Sequence, residues 1–152
     1  MQRIILDTNV LVDGVQDENS HTYRIISLCI EGRVQAVLSH PIKKENDLLA
    51  RQLINDEEYL NIIDDYYDSA DLIQVKNKTH IIEDDREDDK FIQAALDGNV
   101  NVIISSDHHL LDIGEFQNVK IMSPQEYWNY YKSQNGEEHE EWQEWLQGIG
   151  IQ

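Results

Sequence analysis

Asp7, Glu45, Asp88 and Asp107 are four carboxylates far apart in the chain that an alternating α/β fold would bring together. Asp7 closes the apolar run Arg3-Ile4-Ile5-Leu6, and Asp107 follows Val102-Ile103-Ile104-Ser105-Ser106. Glu45 falls early in one helical segment and Asp88 opens another. In open α/β sheets, side chains converge in the crevice beyond the carboxyl ends of the strands. Carboxylates crowded there repel one another and lose hydration, whereas a hard divalent cation such as Mg²⁺ or Mn²⁺ prefers oxygen ligands and relieves both costs. These positions therefore predict a cation site.

Each position has a competing reading. Asp7 and Asp107 also suit strand ends or helix caps. Asp88 sits in an acidic run with Glu83, Asp84, Asp85, Glu87 and Asp89, so Asp89 or Asp85 is the substitute ligand, and Asp47 competes with Glu45. Lys43, Lys44, Arg51, Arg86 and Lys90 flank the proposed site and could touch phosphates, although surface ion pairing is the plainer expectation in so acidic a chain. His108 and His109 follow Asp107 at a helix start, where adjacent side chains diverge. No zinc spacing accompanies them, so capping or hydrogen bonding is expected, and the same holds for His80 and His139.

The elements that must position these residues alternate along the chain. Strands are predicted at 3–6, 34–39, 72–75, 101–105 and 119–122, and helices near 8–15, 20–31, 42–69 (more than one), 88–96 and from Pro124. Ser123, Pro124 and Glu126 read as an N-cap, a first-turn proline and a capping-box acid, and Gly32 reads as a helix end. Leu48, Leu49, Leu53 and Ile54, then Tyr59, Leu60, Ile62 and Ile63, recur at helical spacing and are expected in the core. Such alternation predicts an α/β fold with a mostly parallel central sheet.

A chain of 152 residues, 40% hydrophobic, suits one compact domain. Cys29 is the only cysteine, which excludes an internal disulfide framework and fits a reducing cytoplasm. A strand begins within a few residues of the start and no long apolar stretch exists, so neither a signal peptide nor a membrane span is expected. With 30 acidic against 12 basic residues, the net charge of -18 argues against nonspecific coating of nucleic acid. The composition shifts only at the end, where Glu137-Glu138-His139-Glu140-Glu141 precedes Trp142, Trp145, Leu146 and Ile149. That pattern predicts an acidic amphipathic helix over 133–152, appended to a domain of residues 1–132, that docks on the domain or meets a partner.

Four segments carry a family resemblance: Leu6-Asp7-Thr8-Asn9-Val10-Leu11-Val12, Leu38-Ser39-His40-Pro41-Ile42-Lys43-Lys44-Glu45, Asp88-Asp89-Lys90-Phe91-Ile92-Gln93-Ala94-Ala95 and Ile104-Ser105-Ser106-Asp107-His108-His109-Leu110-Leu111. In this order the chain, over approximately residues 3 to 130, resembles a PIN-domain ribonuclease, of the bacterial subgroup assigned as toxins of toxin–antitoxin pairs. The resemblance implies a three-layer α/β/α fold and a Mg²⁺- or Mn²⁺-dependent endoribonuclease site of Asp7, Glu45, Asp88 and Asp107, supported by Asn9 and Ser105. Phe91, Ala94 and Ala95 align with the family's helix and select Asp88 over its neighbours. RNA is the implied substrate, an antitoxin the implied protein partner, and many relatives form homodimers. Two other readings compete. A haloacid-dehalogenase-like phosphatase needs an acid two residues after its nucleophile, where this chain has Asn9. A PIN-like module that binds a protein partner and cleaves weakly is the alternative from another class.

Overall fold

The computed structural model describes residues 1–76 and 89–134. Its elements are β1 (Arg3–Leu6), α1 (Thr8–Val15), α2 (His21–Ile30), β2 (Gln35–Ser39), α3 (His40–Leu53), α4 (Glu57–Ser69), β3 (Asp71–Ile73), α5 (Asp89–Asp97), β4 (Val102–Ile104), α6 (His108–Ile113), β5 (Glu115–Phe116), β6 (Val119–Met122) and α7 (Pro124–Gln134). The acidic run around Asp88 and the appended segment from residue 135 onward lie outside the described residues.

The strands form one sheet in the order β3-β2-β1-β4-β6-β5, parallel except for the β5–β6 pair. From β1 the chain moves outward to β2 and β3, then returns across the sheet to β4. Because parallel crossovers are right-handed, the reversal sends connecting helices to opposite faces. The packing agrees: α2 contacts α1, α4 and α7, whereas α5 lies against β1, β2, β4 and β6. Central strands covered on both faces should be apolar throughout. Ile4, Ile5 and Leu6 of β1, and Val102, Ile103 and Ile104 of β4, are all buried.

Local chemistry fixes the element ends. The Ser123 backbone amide donates to Glu126 Oε1 at 3.2 Å while the Glu126 amide donates to Ser123 Oγ at 3.2 Å, the reciprocal capping box expected at α7. Gly32 ends α2 at φ +79°. The Ser39 side chain caps α3 just before His40 and Pro41.

Two expectations need correction. The antiparallel strand β5 was not foreseen, because two residues are too few to carry a period. Its hairpin turns on Gln117 and Asn118, both at positive φ, without the usual glycine. Leu48 and Leu53, expected in the core, are exposed. The inward stripe of α3 is instead Ile42, Asn46 and Ala50, spaced four apart, with Ile54 buried at the helix end. A polar Asn46 at the centre of that stripe hides its register from a hydrophobic pattern.

α1 and α2 approach at Gly14. A Cβ there would lie 2.2 Å from Thr22 Cγ2 and 2.4 Å from Thr22 Cβ, so rotating the threonine cannot make room and backbone must move. Gly14→Ala is expected to destabilise the fold by about 2 kcal/mol, the scale of an overpacked core. Urea unfolding with an unchanged m-value checks this; equal midpoints would contradict it.

Candidate active site

The pairing of β1 with β4 sets the site. Leu6 is in register with Ile104, and the Asp7 amide donates to the Ile104 carbonyl at 2.9 Å. Asp7 and Ser105 therefore emerge side by side at the carboxyl ends of adjacent parallel strands, where the strand order reverses. Ser105 Oγ donates to Asp7 Oδ2 at 2.7 Å and accepts from the Asp107 amide at 3.0 Å. Asp107 caps α6, its Oδ1 accepting from the His109 amide at 2.9 Å.

On the other side of Asp7, the first residue of α1 reaches α3. Thr8 Oγ1 lies 2.5 Å from Glu45 Oε2 and 2.7 Å from Asn46 Oδ1. One hydroxyl proton cannot serve two acceptors, and the buried Asn46 Nδ2 has no partner among the described residues. Turning the Asn46 amide nitrogen toward Thr8 removes the conflict, since it then donates to the hydroxyl and the hydroxyl donates to Glu45. The other Glu45 oxygen, Oε1, accepts from Lys90 Nζ of α5 at 2.8 Å.

Asp7 is only 5% exposed. Burial, more than anything else, raises its carboxyl above the usual range; the Ser105 hydroxyl and the Asn9 backbone amide oppose this, and the charges of Glu45 and Asp107 push it further up. Two carboxylates thus act on one buried third. A PIN domain family model matches residues 3–109. The chain belongs to the PIN domain family. A solved structure of VapBC2 from Rickettsia felis, bound to a DNA fragment from their promoter, contains a chain similar to this one at a TM-score of 0.53 and 13% identity. The match covers 79% of this chain and 97% of that one. No curated protein matches the sequence.

In this PIN domain, Asp7, Glu45, Asp107 and Ser105 lie around one rim, while Asp88 is outside the described residues. Asn9 contributes its backbone amide toward Asp7, and its side chain is exposed. His108 and His109 are exposed at the start of α6, whose N-cap is Asp107. Among the described residues no three His, Cys, Asp or Glu side chains converge closely enough to hold one metal ion. Contacts account for this: Glu45 is engaged by Thr8 and Lys90, and one Asp107 oxygen serves the α6 cap. The donor set itself, carboxylates and hydroxyls with a buried Asp7 that lacks a cationic partner among the described residues, fits a hard divalent cation.

Thr8 and Asn46 escaped the sequence reading, although a polar residue on the inner stripe of α3 is a legible sign. The outer stripe of α3 differs from expectation too. His40, Lys43, Lys44, Asp47, Leu48 and Arg51, with Leu72 of β3, line an open groove of about 490 Å³. Lys43, Lys44 and Arg51 form no ion pair with another described residue, though Lys43 Nζ lies 5.2 Å from the Tyr67 ring centre.

Because the native state raises the Asp7 pKa, the folded protein holds that proton more tightly than the unfolded chain. As pH rises through the ordinary Asp value of about 3.9, the unfolded chain ionises first and the native state loses stability relative to it. In EDTA at neutral pH, Asp7→Asn should therefore raise the Tm by roughly 2–4 °C, what about 1 kcal/mol yields at this size. The gain should vanish at pH below the ordinary carboxylate range. Thermal melts at both pH values test it, and a lower Tm for the variant at neutral pH would refute it.

Proposed function

We propose that the chain is a metal-dependent endoribonuclease that hydrolyses RNA phosphodiester bonds. Membership of the PIN domain family supports nuclease chemistry, and the observation that carries the reading is the buried Asp7 in the field of Glu45 and Asp107 at the strand-order reversal. Asp7 and Asp107 would hold Mg²⁺ or Mn²⁺ directly, with Glu45 and Asp88 as ligands directly or through water. When bound, the cation would polarise a phosphate oxygen and lower the pKa of the attacking water. Ser105 and the Asn9 amide orient Asp7, and Thr8 orients Glu45. Water adds to phosphorus as the leaving oxygen departs with a proton.

Lys43, Lys44 and Arg51 line one groove on the helix that carries Glu45, a basic strip suited to RNA phosphates. In this reading residues 1–132 carry the nuclease and 133–152 an acidic extension. A toxin role with an antitoxin as partner draws support from the similar VapBC2 chain, and a cytoplasmic location and a homodimer complete the proposal. No helix among the described residues is long and apolar enough to cross a membrane. The second reading, a weakly cleaving module that binds a protein partner, is favoured by two observations: Glu45 is held by Lys90, and no three-ligand group converges among the described residues.

Purified protein should cleave a mixed RNA pool with Mg²⁺ or Mn²⁺ and not with EDTA. Asp7→Asn and Asp107→Asn should each lose at least about 100-fold. Normally folded protein that cleaves nothing, or retains full activity in either variant, would move the reading to the partner-binding module. Lys43→Glu/Lys44→Glu should weaken RNA binding and flatten its salt dependence, each lost phosphate contact lowering the log–log slope by about 1. An unchanged slope would remove the groove from RNA binding.

A further inference from the structure

Among the described carboxylates of the candidate site, Glu45 carries an ion pair. Oε2 accepts from Thr8 at 2.5 Å, which ties the side chain to α1, and Oε1 accepts from Lys90 Nζ at 2.8 Å, which ties it to α5. The ion pair joins residues 45 positions apart on helices that touch. It is half shielded, with Lys90 21% and Glu45 35% exposed. Asp7, which feels the Glu45 charge, has no such cation among the described residues. A positive charge is thus already present at the candidate site, and it occupies one of the two Glu45 oxygens open to a cation.

We propose that Lys90 is a built-in counter-ion that a divalent cation must displace from Glu45, so that Lys90 sets the cation concentration at which the site fills. This rests on the nuclease reading only in taking Glu45 as a ligand. The ammonium neutralises Glu45 while the site is empty, which limits the repulsion felt by buried Asp7. A cation that takes Oε1 must first break a charge-assisted hydrogen bond at close to ideal length. Binding therefore becomes an exchange of one positive group for another, and its free energy is reduced by what the Lys90 pair contributes. Thr8 holds the opposite oxygen and keeps Glu45 at the rim during the exchange. Lys90 is a positioning residue in this scheme, since it acts through Glu45.

Calorimetric titration of the full chain with Mn²⁺ tests this, using wild type, Lys90→Met, Lys90→Arg, Glu45→Gln and the Glu45→Gln/Lys90→Met double variant. Methionine keeps the apolar stem and removes the charge; Lys90→Gln serves if Lys90→Met does not fold. The expected result is affinity on the order of ten-fold tighter for Lys90→Met, within the usual range for coupled groups. Lys90→Arg should stay near wild type, and Lys90→Met should have no effect in the Glu45→Gln background. Equal or weaker affinity in Lys90→Met would overturn the proposal, because a lysine that merely tethers α5 to α3 would loosen the site when lost. So would tightening of the same size without the Glu45 carboxylate, which would mean a general field effect. If wild type binds Mn²⁺ and cleaves RNA while Lys90→Met gains nothing, this proposal falls alone. If neither protein binds Mn²⁺, it falls together with the metal-dependent reading.

Discussion

The register between β1 and β4 is the constraint on which the rest depends. Both strands are buried on both faces, so their unbroken apolar runs cannot choose a register by putting one face inward. A slip by one residue would cost little in hydrophobic terms. What resists it is polar and lies at the rim: the Asp7 amide on the Ile104 carbonyl and the Ser105 hydroxyl on the Asp7 carboxylate. A slip would leave these groups buried without partners, a penalty of about 1–3 kcal/mol each. The same few contacts thus hold the sheet in register and aim the carboxylates.

That economy has an electrostatic cost. Buried carboxylates are normally paired, yet the Asp7 oxygens meet a hydroxyl and a backbone amide while two like charges face them. The fold tolerates this because the burden is divided. Glu45 is neutralised by Lys90, Asp107 is half exposed and spends one oxygen on a helix cap, and only Asp7 lies fully inside. Thr8 links the groups, bringing α1 against α3, and the close packing of α1 on α2 at Gly14 stiffens its support. Cys29 of α2 is buried too, and burial pushes its thiol up to about 12.

Most of the architecture was legible because it follows from local signals. Strand runs, the Ser123–Glu126 capping box, the Gly32 stop and the β/α alternation all act within a few residues, and each stands where it was expected. Asp7 and Asp107 could be placed at the rim for a related reason, since strand ends in a parallel sheet converge whatever the details of packing, whereas Ser105 was implied by the family resemblance. The misses share the opposite character. Leu48 and Leu53 are apolar and helical, but which face of α3 turns inward is decided by Thr8 and Glu45 across 37 residues of chain, through a polar Asn46. The Lys90–Glu45 pair likewise needs α5 to cross the sheet, and nothing within either helix announces it.

Net charge also misleads when taken as a whole. At physiological salt, charges interact over about 8 Å, so an approaching polyanion meets the local surface and not the sum of -18. Locally, the outer stripe of α3 carries Lys43, Lys44 and Arg51 around a groove that contains one acid, Asp47. The inner side of the same helix carries Glu45 and Asn46 toward α1. In the proposed nuclease reading, one helix would separate the two tasks that hydrolysis of a phosphodiester requires: attraction of phosphate on its outer stripe and carboxylate ligation at its inner edge. Exposed Leu48 follows from that division, since the 3.6-residue period that turns Asn46 inward and Lys44 outward leaves position 48 among the cations. The apparent flaw in the hydrophobic pattern of α3 is the geometric consequence of using both of its sides.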